Sequence, residues 1–259
     1  MKTKKKNFRK SHRKKLVKPF YKKKLFLLPA GISFLFISLA YFFLFFDYFW
    51  INNIKIEGNE VLSREAILGP IEEKLSTKIL FFRSSSIFLF NSNQMSKDIL
   101  EAFPLIKDVQ IKKDLPDKIT INIKERQPVA FWCNSECYLV DSVGVAFRER
   151  RDDDKRRVII RSQGDFQLGE QVVDINDMQR IIKIWKRIGE NLGLIEFEVG
   201  NQKLNAKTSE NWYIYFNSKE DLSTQILKLE LVLEEKISPA KRKKLEYIDL
   251  RFDSRVYFK

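Results

Sequence analysis

The chain has 259 residues, of which 44% are hydrophobic, and a formal net charge of +14. Residues 1–24 hold thirteen Lys or Arg and no acid, which leaves +1 for residues 25–259 and argues against a DNA- or RNA-binding surface there. The single histidine, His12, lies in that tail, so catalytic triads and histidine-bearing zinc sites are excluded from the rest of the chain.

The first predicted element is an uncharged, largely apolar run of 22 residues from Leu25 to Phe46. A helix of this length reaches about 33 Å, enough to cross a hydrocarbon core of about 30 Å, and an aromatic group follows it at Tyr48–Trp50. A cleaved signal peptide is the alternative, but its apolar region is usually about 7–15 residues and ends in small residues, unlike Phe42–Asp47. We therefore predict a basic cytoplasmic tail at 1–24 that faces anionic lipid, a transmembrane helix at 25–46 and an extracytoplasmic remainder.

Residues 51–126 have the pattern of a small unit in the order strand, helix, helix, strand, strand. The first strand lies within Asn52–Asn59, and helices are predicted from Ser63 to about Leu75 and from about Asn93 to Phe103. We expect these helices to bury the following apolar residues: Ala66, Ile67, Ile71 and Leu75 in the first, and Met95, Ile99, Leu100 and Phe103 in the second. The last two strands, Ile106–Lys112 and Lys118–Lys124, flank a turn at Leu115-Pro116-Asp117. Such a unit packs two helices on one face of a small sheet.

A change of composition at Gln127-Pro128 predicts a second domain over residues 127–259. Its predicted strands are Val129–Trp132, Tyr138–Asp141, Val145–Arg148, Leu194–Val199 and Trp212–Asn217. Its predicted helices are Asp174 to about Gly189 and about Leu222–Lys236, and the charged run Arg148–Arg157 is predicted as an exposed loop. The last segment, Leu245–Lys259, is predicted to be a strand pair or one bent strand around Asp253-Ser254.

Cys133 and Cys137 flank a three-residue turn. An oxidising compartment would let them form a disulfide, and two free thiols are the alternative. Two sulfurs alone do not complete a four-ligand zinc site. We therefore predict a possible disulfide at this position and no metal, cofactor or catalytic residue in the chain.

Four motifs follow one another along the chain. They are Ile54-x-Ile56-x-Gly58-Asn59, the segment from Phe103 to Ala130 with Glu125-Arg126-x-Pro128, Leu139-Val140-Asp141-x-x-Gly144-x-x-Phe147, and Tyr247-Ile248-Asp249-Leu250-Arg251-Phe252. In order and spacing the chain resembles the FtsQ/DivIB family of bacterial cell-division proteins, over essentially its whole length. The second motif is similar to the end of that family's POTRA domain where it continues into the β domain, and the last is similar to its "DLRY" signature.

The resemblance implies an α+β fold with a single transmembrane helix, a POTRA domain and a mixed α/β domain whose antiparallel sheet ends in an edge strand. It implies a non-enzymatic, bitopic protein of the inner membrane, concentrated at the division site, that links early division factors to septal wall synthesis. In the family, the last strand of the β domain receives a strand from an FtsB/DivIC-type partner, which travels with FtsL.

An edge strand makes such binding physically reasonable, because its outer backbone donors and acceptors are unpaired. The residues expected to bind the partner are Phe252, Ser254, Arg255, Val256, Tyr257 and Phe258, with Val256 and Phe258 on one side and Tyr257 on the other. The alternative is a plain core strand that ends the fold. The chain departs from the family at Arg255, where glycine is common, in the short segment after the last strand, and in the charged run Arg148–Arg157, where proline and small residues are usual.

Two other functions fit parts of the sequence. A POTRA-bearing chaperone or assembly factor for envelope protein transport would usually have several POTRA repeats or a following barrel, and neither pattern is present. A wall-modifying hydrolase would need paired carboxylates in an apolar pocket. The acid pairs have the pattern of solvated faces or loops: Glu72/Glu73, Asp152/Asp153 and Glu234/Glu235. The division scaffold is therefore the favoured interpretation.

Overall fold

The computed structural model describes residues 24–76, 78–79, 82–83, 85–162, 164–200, 203–253 and 255–259. The helices are α1 (Lys24–Phe45), α2 (Arg64–Ser76), α3 (Ser92–Ala102), α4 (Ile175–Ile184), α5 (Leu222–Glu235) and α6 (Pro239–Arg242). The strands are β1 (Asn53–Glu57), β2 (Lys78–Ile79), β3 (Phe82–Arg83), β4 (Ile106–Asp114), β5 (Lys118–Glu125), β6 (Ala130–Cys133), β7 (Cys137–Val140), β8 (Ala146–Glu149), β9 (Ile159–Arg161), β10 (Leu194–Gly200), β11 (Lys203–Thr208), β12 (Tyr213–Asn217), β13 (Tyr247–Asp249) and β14 (Tyr257–Phe258).

The N-terminal helix α1 presents apolar side chains to its surroundings, with Leu28 70% and Phe34 74% exposed. In the described part of the chain, no helix combines the length and the apolar composition that a membrane span requires. The predicted basic tail lies outside the described residues, apart from Lys24.

The first sheet contains three strands in the order β1-β5-β4, with β1 parallel and β4 antiparallel to β5. α2 and α3 pack on the sheet face that carries Ile119, Ile121 and Ile123. The predicted order of strand, helix, helix, strand and strand is therefore confirmed. A hairpin of β2 and β3 lies in the sequence between the helices, and we did not predict it.

The predicted burial of α2 is correct at Ile67 and Ile71, which are fully buried, and wrong at Ala66, which is exposed. Ala66 is one residue out of step with Ile67 and Ile71, so it lies about 100° around the helix from that stripe. The predicted cap is present, because Ser63 Oγ accepts a hydrogen bond from the backbone N–H of Ala66 at 3.2 Å. Pro70 lies inside α2 without ending it.

The second sheet contains nine strands in the order β14-β13-β12-β11-β10-β9-β6-β7-β8. The helices α4 and α5 cover one face, where Phe197, Leu204 and Phe216 are fully buried. The predicted antiparallel sheet is wrong in part, since β6 and β9, β9 and β10, and β12 and β13 pair in parallel. Two of these pairs are the ends of crossovers through α4 and α5, and such crossovers join parallel strands.

Two strands of the second sheet were not predicted. β9 has only three residues and directly follows the charged run, whereas β11 alternates polar residues with the buried Leu204, Ala206 and Thr208. The charged run itself is only partly an exposed loop. Its first two residues belong to β8, and the guanidinium of Arg148 forms a half-buried ion pair with Asp154. The predicted pair of strands at the C-terminal end is confirmed as β13 and β14.

A buried carboxylate lies at the end of the first sheet where β5 ends. Glu125, the last residue of β5, is 5% exposed, and its carboxylate accepts hydrogen bonds at 2.9–3.1 Å from the backbone N–H groups of Glu60, Val61 and Leu62. These donors lie in the turn between β1 and α2, and none of the described strands pairs with this turn. The turn begins at Gly58, whose φ is 82°, and a Cβ there would lie 2.2 Å from the carbonyl oxygen of Ile123.

The next residue, Arg126, joins the two sheets. Its Nε donates to the carbonyl of Pro104 at 3.1 Å, and its guanidinium pairs with the carboxylate of Asp141 at 2.6 Å. Asp141 also accepts from the backbone N–H groups of Val143 and Val145 at 3.0 and 3.1 Å, which closes the turn between β7 and β8. The ion pair therefore connects the loop after α3 to the second sheet.

A small apolar cluster lies beside this ion pair. Phe131, Cys133, Leu139 and Phe147 are buried together, and Leu105 of the first unit packs against them. Because the contact joins residues from both units, it adds buried apolar surface to the junction that the ion pair forms.

We predict that Asp141→Asn destabilises the fold, because Arg126 would lose its charged partner in a largely buried position. The expected loss is about 3 kcal/mol in the free energy of unfolding, the lower end of the range for a broken buried pair. Urea unfolding of a fragment of residues 47–259 measures it. The matched control is Asp152→Asn, an exposed carboxylate, which should change the free energy by less than about 0.5 kcal/mol. Equal unfolding midpoints for the two variants would contradict this role of Asp141.

Candidate partner-binding edge

β14 lies at one edge of the nine-stranded sheet, and β13 is its only neighbour among the described strands. The two strands are antiparallel, with Ile248 opposite Phe258 and Asp249 opposite Tyr257. Of the six residues predicted to bind a partner, five are described, and Ser254 lies outside the described residues. The structure brings Phe252 and the residues from Arg255 to Phe258 to this edge, and whether a partner binds there remains a prediction.

The register determines which backbone groups of the edge are unpaired. Lys259 donates its N–H to the carbonyl of Tyr247 at 3.2 Å and accepts from the N–H of Tyr247 at 3.3 Å. Hydrogen-bonded and non-hydrogen-bonded pairs alternate in antiparallel sheets. The backbone N–H and C=O groups of Tyr257 therefore point to β13, like those of Lys259, whereas those of Val256 and Phe258 point away from the sheet. The groups of Val256 and Phe258 are therefore the ones that an added strand would meet.

Three aromatic side chains surround this edge, and each is nearly half exposed: Phe252 49%, Tyr257 45% and Phe258 47%. The rings of Phe252 and Tyr257 touch edge to face, with centroids 5.0 Å apart. Val256 is half-buried against the large core, and Arg255 is exposed. Phe258 lies opposite the buried Ile248 and Tyr257 opposite Asp249, which agrees with the predicted alternation of sides.

A row of tyrosines runs across the open face of the sheet next to this edge. Tyr213 and Tyr215 stack with centroids 6.2 Å apart, and Tyr215 and Tyr247 stack at 5.6 Å. The guanidinium of Arg251 lies 5.2 Å above Tyr215, and the ammonium of Lys207 lies 5.4 Å above Tyr213. We did not predict this row. Its only signal in the sequence is the alternation of Tyr213 and Tyr215, because the third tyrosine comes from a parallel strand after α5.

The end of β13 is held by an ion pair within the motif Asp249-Leu250-Arg251. The carboxylate of Asp249 accepts from the backbone N–H of Arg251 at 3.0 Å and from its guanidinium at 2.6 and 2.9 Å. Burial would raise the pKa of Asp249, but the side-chain and backbone hydrogen bonds from Arg251 outweigh it, so the pKa lies below its ordinary value. The hydrogen bonds that the Arg251 guanidinium donates to Asp249 raise the pKa of Arg251. Leu250 between them is fully buried.

Cys133 and Cys137 lie opposite each other in the β6–β7 hairpin, far from the candidate edge in strand order. A disulfide joins them, with the Cα atoms 4.1 Å apart. Among the described residues, no group of three or more His, Cys, Asp or Glu could hold a metal ion. The acid pairs considered above are all exposed: Glu72 and Glu73, Asp152 and Asp153, and Glu234 and Glu235.

Comparison with known proteins agrees with this architecture. Residues 49–126 match the family model described as POTRA domain, FtsQ-type. The chain is 25% identical over 219 residues to the cell division protein DivIB of Clostridium tetani, a match that covers 79% of this chain and 77% of that protein. It is 27% identical over 226 residues to DivIB of Clostridium botulinum, covering 82% of each. It is 31% identical over 97 residues to the cell division protein FtsQ of Rickettsia bellii, covering 37% of this chain and 33% of that protein.

The fold and these matches define the class: an α+β protein in which one FtsQ-type POTRA domain precedes a large mixed sheet with helices on one face. The motifs that suggested a family include Glu125, Asp141 and Asp249, which lie at the ends of β5, β7 and β13. Residues 49–126 thus belong to the FtsQ-type POTRA family, and over most of its length the chain is similar to the cell-division proteins DivIB and FtsQ.

We predict that the disulfide between Cys133 and Cys137 also exists in the purified protein, because their paired positions in the hairpin bring the two side chains together. Alkylation of the denatured chain without reductant should add no mass, and alkylation after reduction should add two groups. Mass spectrometry distinguishes these states. Addition of two groups without reductant would favour the free thiols.

We predict that Asp249→Asn lowers stability at pH 7 but not in strong acid. A carboxylate whose folded pKa is depressed stabilises the fold above its unfolded pKa of about 4, and this contribution disappears as the pH falls through the folded pKa. The variant should lose about 1.5–3 kcal/mol at pH 7, the range for hydrogen bonds to a charged group. Urea unfolding at pH 7 and below pH 3 measures the difference. A loss of the same size at both pH values would rule out the ionised carboxylate as its cause.

Proposed function

We propose that this protein is a non-enzymatic scaffold of the bacterial division machinery that binds an FtsB/DivIC-type partner by strand addition along β14. Its FtsQ-type POTRA domain and its similarity to DivIB and FtsQ cell-division proteins support the division role. The observation that carries the binding mode is the outward direction of the N–H and C=O groups of Val256 and Phe258 at an edge with three exposed aromatic residues. Backbone hydrogen bonds would supply affinity, and the side chains of Phe252, Arg255 and Tyr257 would supply specificity.

The ion pair of Asp249 and Arg251 supports this proposal, because it holds the strand to which β14 is bonded. With the end of β13 fixed and Leu250 buried, β14 rests on a rigid neighbour on one side. A rigid edge loses little conformational freedom when a partner strand adds to it, so more of the interaction energy appears as affinity. Ser254 and Arg255, which precede β14 in the sequence, would also contribute to the contact.

We further propose that residues 25–46 anchor the protein in the cell membrane, with the tail 1–24 in the cytoplasm and the domains 51–126 and 127–259 outside. The exposed apolar side chains of α1 support this placement, since Leu28, Phe34 and Ile37 would otherwise contact water. The anchored protein would act at the division site, where it would link early division factors to septal wall synthesis together with an FtsL-type protein.

Replacement of Phe258 by proline tests strand addition, because proline removes the outward N–H. We expect a soluble fragment of residues 47–259 with Phe258→Pro to bind an extracytoplasmic peptide of an FtsB/DivIC-type partner at least about tenfold more weakly than Phe258→Ala does. Both variants lose the aromatic ring, so their difference reports the backbone donor. Isothermal titration calorimetry measures both affinities, and Val256→Pro against Val256→Ala repeats the comparison at the second outward position.

Tyr257→Pro is the control for folding, because the N–H of Tyr257 faces β13 and its loss disrupts the sheet itself. Equal affinities for Phe258→Pro and Phe258→Ala, with both fragments folded, would refute strand addition at β14. Binding by the aromatic side chains alone would then remain, and it would show as a loss with Phe258→Ala.

A further inference from the structure

The end of the POTRA domain nearest α1 carries exposed apolar residues from two separate loops. We propose that these residues, Phe88, Leu89 and Leu115, form a membrane-contact patch that inserts into the outer leaflet beside α1 and holds the POTRA domain against the lipid surface. This proposal rests on the proposed membrane anchor. It adds that the first extracytoplasmic domain is itself a peripheral membrane domain in a fixed orientation.

Backbone pairing fixes the position of this patch relative to α1. The segment after the helix forms an antiparallel bridge between Trp50 and Ser86, with the N–H of Ile87 donating to Phe49 at 2.9 Å and the N–H of Ile51 donating to Ser85 at 2.9 Å. A short helical turn, Asp47–Phe49, is the only element between α1 and this bridge. The loop with Phe88 and Leu89 is therefore held directly beside the end of the helix.

Ring contacts show how deep the patch lies. Phe88 touches Phe49 with centroids 5.2 Å apart, and it also touches Phe43 of α1 at 5.9 Å. Phe43 lies three residues before Phe46, the end of the proposed span, so it would be about 4.5 Å inside it along the helix axis. A side chain in contact with Phe43 cannot lie in bulk water if α1 spans the bilayer. Phe88 is therefore at the level of the outermost acyl carbons.

The second loop of the patch is also bonded to the chain that follows α1. The carbonyl of Asp117 accepts from the N–H of Asn52 at 3.0 Å, which places the β4–β5 turn beside the chain as it leaves the membrane helix. Leu115 in this turn is 64% exposed, and Phe88 and Leu89 are each 44% exposed. Apolar side chains from two loops at one end of a domain, continuous with an apolar helix, point to a lipid surface as the occupant.

A basic residue lies where a lipid headgroup would be expected. The ammonium of Lys113, at the end of β4, lies 5.9 Å above the ring of Phe90, which follows the patch residues in the chain. Lysine near a bilayer places its stem against apolar groups and its ammonium among the phosphates. Lys113 thus gives the patch a basic residue at its rim whose ammonium can reach a lipid phosphate.

Spin labels in the full chain, reconstituted in phosphatidylcholine and phosphatidylglycerol vesicles, test this proposal. A single nitroxide is attached at Leu89→Cys or Leu115→Cys in a Cys133→Ala/Cys137→Ala background, and collision with oxygen is compared with collision with a water-soluble nickel chelate. The control for the patch is Val61→Cys, a 66% exposed apolar position. Val61 lies near Glu125, at the far end of β5 and about 26 Å along the strand from Asp117. The control for the anchor is Phe36→Cys in α1.

We expect the oxygen-to-nickel ratio at Leu89 and Leu115 to be several-fold above that at Val61 and to approach that at Phe36. A ratio at Leu89 and Leu115 as low as at Val61, with a high ratio at Phe36, would overturn the patch and leave the anchor standing. A low ratio at Phe36 would overturn both. Spin–spin broadening at Leu89 that grows with the protein-to-lipid ratio would show that a second copy covers the patch instead, and it would overturn the lipid assignment.

A second measurement does not depend on the cysteine-free background. Leu89→Trp and Val61→Trp are introduced into the unmodified chain, and quenching by lipids brominated near the glycerol is measured against the signal of the four native tryptophans. Additional quenching with Leu89→Trp and none with Val61→Trp supports the patch. Equal quenching in the two variants overturns it.

Discussion

The consecutive residues Glu125 and Arg126 determine how the two sheets of this protein are joined. The Glu125 carboxylate takes three backbone donors from a turn that no strand can pair, and the Arg126 guanidinium reaches the Pro104 carbonyl and Asp141. Removing these charges from water is costly, so the arrangement is stable only with all of its hydrogen bonds in place. Because the two residues are adjacent, the end of the first sheet and the start of the second cannot move independently without breaking one set of contacts. The apolar contact of Leu105 with the cluster of Phe131 adds buried surface at the same junction.

The same arrangement of an aspartate, a turn and an arginine occurs near the other end of the second sheet. Asp141 and Asp249 each follow or end a strand, accept backbone N–H groups of the next turn and pair with an arginine. The motifs that pointed to the family therefore consist largely of residues that close turns. Neither aspartate lies on the outer edge of β14. Their role is to hold β13 and the turn between β7 and β8, and the residues available to a partner are the less distinctive ones that follow.

Much of the fold could be predicted because its signals are local. The alternation in β5, the caps of α2 and α4 and the apolar spacing of α5 are each set within a few residues, and the structure agrees with them. The parallel pairs could not be predicted in the same way, since β12 and β13 are joined through α5 and their pairing is set by tertiary packing. β9 is too short to give a periodic signal. Ala66 shows the limit of predicting burial in a helix, because it is exposed whereas the next residue, Ile67, is buried.

For the candidate edge, the sequence was sufficient to indicate a last strand and its alternating sides, but not its hydrogen-bond phase. That phase depends on the pairing of Lys259 with Tyr247, and a shift by one residue would turn the outward groups of Phe258 toward β13. The membrane-contact patch was even less predictable, because the loops of Leu89 and Leu115 are tied to the segment after α1 only by the pairing of Trp50 with Ser86 and of Asn52 with Asp117.

The order of strands separates the two surfaces of the protein. β14 lies eight strand positions from β8, which is about 38 Å at the usual spacing of about 4.8 Å, and the junction with the POTRA domain is at the β6–β8 end. A partner strand added to β14 would extend the sheet away from that junction and would cover neither Arg126 nor the patch at the opposite end of the first sheet. Lipid contact and partner binding can therefore occur together. A POTRA domain held against the membrane would fix the direction in which the edge is presented and reduce the orientations that a membrane-anchored partner must search.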